Sequence, residues 1–287
     1  MSLISLQSNR VDDTLALAKE ARLIECLEAL GSLVIGYSGG VDSAYLAAVA
    51  HEVLGERAIA VIAVSPSYPE REHADAVALA GRIGIPLREV QTAEGENPDY
   101  VANPVDRCFH CKDELFIHLR KVAEQRDARH IAYGAIADDR GDHRPGARAA
   151  RDHGAVAPLQ DVDLSKAEIR FLSRRRGLAT WDKPGMACLA SRIPYGTPVT
   201  PDLLRRLEAA EDFLRDLGFR QLRVRHHDTV ARIEVAPDEL PKLVDPDIAA
   251  AVHNQLRALG WTHVAADLLG YRTGSLNAGI ALETDPH

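Results

Sequence analysis

The sequence predicts an α/β protein: a parallel-sheet domain over residues 1–196 and a smaller α+β domain over 197–287. Three observations predict it. Apolar strand-like runs alternate with helical patterns as far as Tyr133, as crossover connections in a parallel sheet require. A stretch dense in Pro and Gly, Trp181 to Gly196, then interrupts the alternation. Beyond Thr197 the order becomes helix, two adjacent strands, helix, strand, which reads as a separate α+β unit.

Residues 12–30 place Leu15, Leu23, Leu27 and Leu30 at helical spacing. Cys26 on that helix reads as a small buried hydrophobe. Residues 33–37 form a short buried strand and 43–54 a helix. Residues 58–64 form a second buried strand, and 70–83 an amphipathic helix that stops at Gly84. A third strand at 87–90, a helix over 111–126 and a fourth strand at 130–133 follow. Ser165-Lys166-Ala167-Glu168 is a capping box, and its helix ends at Gly177. The second domain holds a helix over 203–217, paired strands at 221–226 and 230–235, a helix over 246–259 and a strand at 263–268. No internal repeat or low-complexity tract is present.

A chain of 287 residues with 46% hydrophobic residues supports two real cores. A net charge of −8 argues against a general nucleic-acid binder, which shows a basic excess. No apolar run reaches transmembrane length, and Met1–Arg10 lacks a signal-peptide core. The expectation is a cytoplasmic protein. Four cysteines are too few for a disulfide scaffold of this size, so the pair Cys108-x-x-Cys111 points to metal or redox chemistry.

The most informative stretch is Ser38-Gly39-Gly40-Val41-Asp42-Ser43, between a buried strand and a helix. Glycines let backbone approach an anion closely, and the free N–H groups at a helix start point toward it. Ser38 and Ser43 add hydroxyl donors. The loop lacks the lysine of a Walker A motif. A glycine-rich turn without a ligand is the rival reading. Ser65 to Tyr68 and Gly134 to Asp139 also fall at carboxyl ends of predicted strands, where ligands of parallel sheets bind.

The S-G-G-x-D-S pattern resembles the PP-loop of ATP pyrophosphatases, which cleave ATP between its α- and β-phosphates. Five further segments extend the likeness over about residues 12–280: Ser65–Pro69, Asp106–Lys112, Gly141–Gly146, Trp181–Gly196 and Gly270–Asn277. Together they resemble the LarE family of ATP-dependent sulfur transferases. The PP-loop is specific only to the superfamily; the Trp181–Gly196 segment is far more specific.

The resemblance implies adenylylation of the carboxylates of pyridinium-3,5-biscarboxylic acid mononucleotide and their conversion to thiocarboxylates. This is a step toward the nickel-pincer nucleotide of lactate racemase. It also implies ATP and Mg²⁺ as cofactors, a homo-oligomer, and transient contact with upstream and downstream cofactor-biosynthesis enzymes. No nucleic acid or membrane is expected as a partner. Adenylylation makes chemical sense because a carboxylate is a poor electrophile until one oxygen becomes a phosphate leaving group. Ser38, Gly39, Gly40, Asp42, Ser43, Ser65 and Gly134 are then the nucleotide-binding residues. Asp42 is the expected Mg²⁺ ligand, with Asp138 and Asp139 weaker candidates.

The cysteines allow two sulfur routes within this family. Cys188 gives up its own sulfur and becomes dehydroalanine, or Cys108, Cys111 and Cys188 hold a [4Fe–4S] cluster that carries an extra sulfide. The count of three favours the cluster. A structural zinc site and unliganded thiols are the bland readings. Zinc needs a fourth ligand, and Cys26 or His110 is poorly placed to supply it. Arg107 and Lys112 flank the pair, either favouring thiolates or as ordinary solvated charges.

Arg223 and Arg225, two apart on a predicted strand, share one face and are expected to bind the substrate phosphate; a solvent-facing stripe is the alternative. Arg192 is expected to bind AMP or a carboxylate. Trp181 is expected to stack on the pyridinium ring or to serve as a packing anchor. Arg144, Arg272 and Ser275 lie in family-like segments without assignable contacts. A cluster-dependent PP-loop transfer-RNA thiolase, an ammonia-using PP-loop synthetase and a non-catalytic adenine-nucleotide sensor are the competing functions. The acidic charge fits tRNA poorly, the synthetase needs no cysteine trio, and a sensor releases no pyrophosphate.

Overall fold

A computed structural model describes residues 11–140 and 145–272. The chain forms two compact units. The first comprises Met1–Tyr100 and Asp106–Met186, the second Val101–Val105 and Ala187–His287. Residues 187–196, placed with the first domain by the sequence pattern, group with the second unit.

In the first unit, α1 (Asp13–Leu30) leads to β1 (Leu33–Gly36), α2 (Val41–Leu54), β2 (Ala58–Val64), α3 (Glu70–Ile83) and β3 (Leu87–Gln91). The one-turn α4 (Pro98–Val101), then α5 (Arg107–Arg126), β4 (His130–Tyr133), α6 (Pro145–Asp152), α7 (Pro158–Asp161) and α8 (Lys166–Arg175) follow. The four strands are all parallel, in the order β3-β2-β1-β4.

Period-two alternation sends the sheet's side chains to two cores. Leu33 and Ile35 pack with Leu23, Leu46, Ile169 and Leu172 on one face. Val34 packs with Val61, Phe116, Leu119 and Ile131 on the other. The direction of strand addition reverses beside β1: β2 lies on one side and β4 on the other. This switch point opens a crevice at the carboxyl ends of the strands, and the PP-loop lies there.

Two glycines near the loop have little room for a side chain. Gly39 has φ +63°, and a Cβ on it would sit 2.4 Å from Ala76 Cβ on α3. A Cβ on Gly134, just after β4, would sit 3.1 Å from the Ser43 amide. Gly39→Val is therefore expected to cost about 1–3 kcal/mol or more, read as a lowered midpoint in urea unfolding.

Helix starts differ from the sequence pattern. α2 begins at Val41 rather than 43, with Gly40 as its N-cap. α5 begins at Arg107 rather than 111, so Cys108 and Cys111 both fall in its first helical turns. The capping box at α8 forms as expected: Glu168 Oε2 accepts from the Ser165 amide at 2.8 Å, and Ser165 Oγ accepts from the Glu168 amide at 3.4 Å.

The second unit holds α9 (Pro201–Asp216), β5 (Leu222–His227), β6 (Val230–Val235), the one-turn α10 (Leu240–Leu243), α11 (Pro246–Ala258) and β7 (His263–Ala266). Its sheet order is β5-β6-β7, antiparallel then parallel. α9 starts two residues before its apolar pattern because Thr200 caps it and Pro201 occupies the first position. Within 181–196, expected to be irregular, residues Leu189–Arg192 form a 3₁₀ turn.

Candidate active site

The PP-loop is held by its own hydroxyls. Ser38 Oγ and Ser43 Oγ are 3.1 Å apart, and the Ser38 amide donates to Ser43 Oγ at 3.2 Å. From the loop after β2, Tyr68 OH donates to the Ser38 carbonyl at 3.0 Å. There too Ser65 Oγ lies 2.9 Å from Ser67 Oγ. A preset loop at a helix start suits an anion because its donors are ordered before the ligand arrives.

Asp42, in the first turn of α2, is gripped by Lys166 from the start of α8, at 2.8 and 2.6 Å to its two oxygens. The cation missing from the loop's own sequence therefore comes from another helix. Burial pushes the Asp42 carboxyl above its ordinary value, against the pull of Lys166, while Asp139 adds to the rise and Arg170 opposes it. Asp138 and Asp139 are used differently. Asp138 Oδ2 accepts from the Lys166 amide at 2.7 Å and Asp139 Oδ2 from the Ile136 amide at 3.0 Å. Both carboxylates cap backbone.

Lys166, Arg170 and Arg174 repeat every four residues along one face of α8. Arg170 donates to the carbonyls of Trp181 and Lys183 at 2.7 and 2.8 Å. Arg174 lies 5.0 Å over the Trp181 ring. Trp181 is 37% exposed, so one end of it is anchored and the ring remains partly open.

None of the four cysteines is in a disulfide. Cys108 is exposed and Cys111 half-buried; at i and i+3 on α5 they share one face. Arg107 beside them is 2% exposed and is not the solvated charge that one reading allowed. Cys26, expected to be buried, is half-buried; burial, then the nearby Asp161, pushes its thiol up.

In the second unit, Cys188 caps the 3₁₀ turn. Arg192, 2% exposed, donates to both oxygens of fully buried Glu211 at 2.8 and 2.9 Å. Its remaining nitrogen donates to the carbonyls of Ala187 and Cys188 at 2.7 and 3.0 Å and to Ser191 Oγ at 2.9 Å. Arg223 and Arg225 on β5 are each 6% exposed, so they form no solvent-facing stripe. Arg225 pairs with Glu234 at 2.9 Å and donates to the Ser191 carbonyl at 2.8 Å. Arg223 lies 5.1 Å from the Tyr271 ring centroid. Burial and then the repulsion of Arg192 push it down to about 10.

Burial alone would raise Glu211, yet Arg192, Arg223 and Arg215 outweigh it and hold the carboxyl below its ordinary value. The folded value thus lies below the unfolded one. This contribution to stability is complete above the unfolded carboxylate value of about 4.3 and is lost as pH falls through the lower folded value. Melting curves of the wild type and Glu211→Gln are expected to differ most near neutral pH and to converge in acid.

Residues 22–97 match the NAD synthase family. An uncharacterized Synechocystis protein is 42% identical over 261 residues, covering 90% of this chain and 97% of that one. The pyridinium-3,5-bisthiocarboxylic acid mononucleotide synthase of Lactiplantibacillus plantarum is 34% identical over 262 residues, 90% of this chain and 94% of the relative. The chain belongs to the LarE family. A glutamine-hydrolyzing GMP synthase component of Archaeoglobus fulgidus is 26% identical over 58% of the chain and 56% of that protein.

As a LarE-family enzyme with a PP-loop, the chain uses ATP. Sequence reasoning missed Lys166, Glu211 and Glu234. For Glu211 a signal existed: it interrupts the apolar stripe of Leu204, Leu207, Ala210 and Leu214 on α9, and a buried carboxylate demands a partner. For Lys166 nothing beyond its place in the capping box marked it.

Asp42 is a carboxylate beside the anion loop, the chemical type a divalent ion takes, and both its oxygens are on the Lys166 ammonium. Among the described residues no three His, Cys, Asp or Glu side chains form a group able to hold a metal. No helix among them is long and apolar enough to cross a membrane. The expected segments 141–144 and 273–277, with Arg144 and Ser275, lie outside the described residues.

Proposed function

We propose that this chain adenylylates the carboxylates of pyridinium-3,5-biscarboxylic acid mononucleotide with ATP and converts them to thiocarboxylates, a step toward the nickel-pincer nucleotide. One observation carries the reading: an ordered PP-loop with Asp42 and Lys166 beside it, in a chain 34% identical to a synthase named for the bisthiocarboxylic product. The substrate carboxylate oxygen attacks the α-phosphorus, the bond to the bridging oxygen breaks, and pyrophosphate leaves with the electron pair. The PP-loop amides and Lys166 hold the departing charge, so positioning and charge neutralisation do most of the work. Asp42 would hold Mg²⁺, which neutralises phosphate oxygens when bound.

Sulfur then adds to the acyl carbon and AMP leaves. Cys188 handles this sulfur. Three cysteines outside any disulfide, two of them on one face of α5, support a [4Fe–4S] cluster on Cys108, Cys111 and Cys188; when bound, such a cluster supplies a sulfide not owned by the protein. In the other route Cys188 Sγ forms a thioester, and elimination across its Cα–Cβ bond releases the thiocarboxylate and leaves dehydroalanine. Arg223, beside the Tyr271 ring, is the arginine of the pair assigned to the substrate phosphate, because Arg225 is committed to Glu234 and the Ser191 carbonyl; Trp181 meets the pyridinium ring. The protein acts as a cytoplasmic homo-oligomer.

The test is anaerobic purification with iron and sulfide analysis, then incubation with ATP, Mg²⁺ and the biscarboxylate nucleotide. Thiocarboxylate product with pyrophosphate release is expected; pyrophosphate release that responds to tRNA instead overturns the reading. After one turnover, an intact Cys188 mass supports the cluster, and loss of the elements of hydrogen sulfide supports the sacrificial route.

A further inference from the structure

We infer that Arg192, locked by Glu211, is the positioning residue for Cys188. The inference rests on the reading that Cys188 handles sulfur, but its test does not require turnover. A buried ion pair is weak evidence for stability, because desolvation offsets most of its attraction. Two apolar side chains would fill the same volume. What they would lack is the guanidinium fork, and here each part of the fork has a separate task. The Nε and Nη2 edge is fixed on Glu211. That leaves Nη1 aimed at the two successive carbonyls of Ala187 and Cys188 and at Ser191 Oγ.

Glu211 is itself fully determined. It also accepts from the Val224 amide at 3.0 Å and from Arg215 at 3.2 Å. The clamp is therefore anchored to α9 and to β5, two elements of the unit's core. Arg225, paired with Glu234, adds a second pin by donating to the Ser191 carbonyl. The Ser191 amide in turn donates to the Cys188 carbonyl at 2.9 Å. Both peptide planes flanking Cα of residue 188 are thereby held, while the thiol is half-buried and outside any disulfide. A sulfur that must meet a reactive acyl carbon needs this kind of support, since a displacement of about 1 Å costs on the order of a hundredfold in rate.

The test compares Arg192→Lys and Glu211→Gln with the wild-type full chain. Lysine keeps the charge but has no fork, so it cannot hold Glu211 and two carbonyls together. Alkylation of Cys188 by iodoacetamide, followed by peptide mass spectrometry, is expected to be about tenfold faster in Arg192→Lys, with a smaller rise in Glu211→Gln. Amide exchange at Ser191 and Ile193 should accelerate in parallel. A merely structural role would instead raise the reactivity of all four cysteines together, with Cys26 as the internal reference, and that result overturns the inference. Unchanged Cys188 alkylation and unchanged loop exchange in both variants overturn it as well.

Should Arg192→Lys fail to fold, Ser191→Ala carries the test. It removes one acceptor of Nη1 and is expected to raise Cys188 alkylation about twofold; no rise counts against the clamp. A wild-type protein that makes no thiocarboxylate, beside variants with selectively accelerated Cys188, sinks the proposed reaction and leaves the clamp standing.

Discussion

Asp42→Asn is expected to lower ATP-dependent pyrophosphate release by about two to three orders of magnitude while leaving the fold intact. Asp42 is the carboxylate of this crevice whose two oxygens are held by a side-chain ammonium. Those of Asp138 and Asp139 cap backbone amides. Asparagine retains the shape but loses the charge that a divalent ion requires.

The folding consequence has the opposite sign. Burial raises the Asp42 carboxyl above its unfolded value, so ionised Asp42 weakens the folded state at neutral pH. That penalty fades as pH falls through the raised value. Removing the charge should therefore leave the melting midpoint unchanged or slightly higher. Lys166, left without its anion, is 35% exposed and is solvated by water. A variant equally inactive and clearly destabilised would refute this account. Lys166→Met should weaken ATP binding by about tenfold, measured by calorimetry, because the loop then faces the phosphates without its cation.

The second large effect falls on sulfur. Cys188→Ala is expected to reduce thiocarboxylate formation to background under both sulfur routes, while pyrophosphate release continues. The groups proposed to handle the phosphates of ATP, the PP-loop with Asp42 and Lys166, belong to the first unit, and Cys188 belongs to the second. Cys108→Ala and Cys111→Ala then separate the routes. Both should lose bound iron and sulfur transfer if a cluster operates, and both should keep a single turnover if Cys188 is sacrificed. Loss of pyrophosphate release in Cys188→Ala would mean that the thiol takes part in the first half-reaction.

Much of the fold was legible because local signals coincided with tertiary ones. The apolar runs at residues 33–37 and 58–64 became β1 and β2, adjacent and parallel. The Gly39-Gly40 turn lies at the carboxyl end of β1, and the Ser165–Glu168 box opens α8. Helix starts were less legible. Before Val41 stands Gly40, which has no capping side chain, and Asp106, the N-cap before Arg107, makes no side-chain cap hydrogen bond. That shift changes the chemistry read from the sequence, since it moves Cys108 from a loop into α5 beside Cys111.

The chain by itself determined the sheet type, the anion loop, the three cysteines and the family they point to. The sheet type depends on periodicity and the loop on residues adjacent in sequence, while the family came from the resemblance of several separate segments. Tertiary structure decided the charge partners. Lys166 reaches Asp42 across 124 positions, and Arg192 finds Glu211 across 19. A buried charge tells the reader that a partner exists, because desolvation without one is prohibitive. Which partner it is depends on how helices and strands pack, and that is settled by shape and burial summed over whole cores.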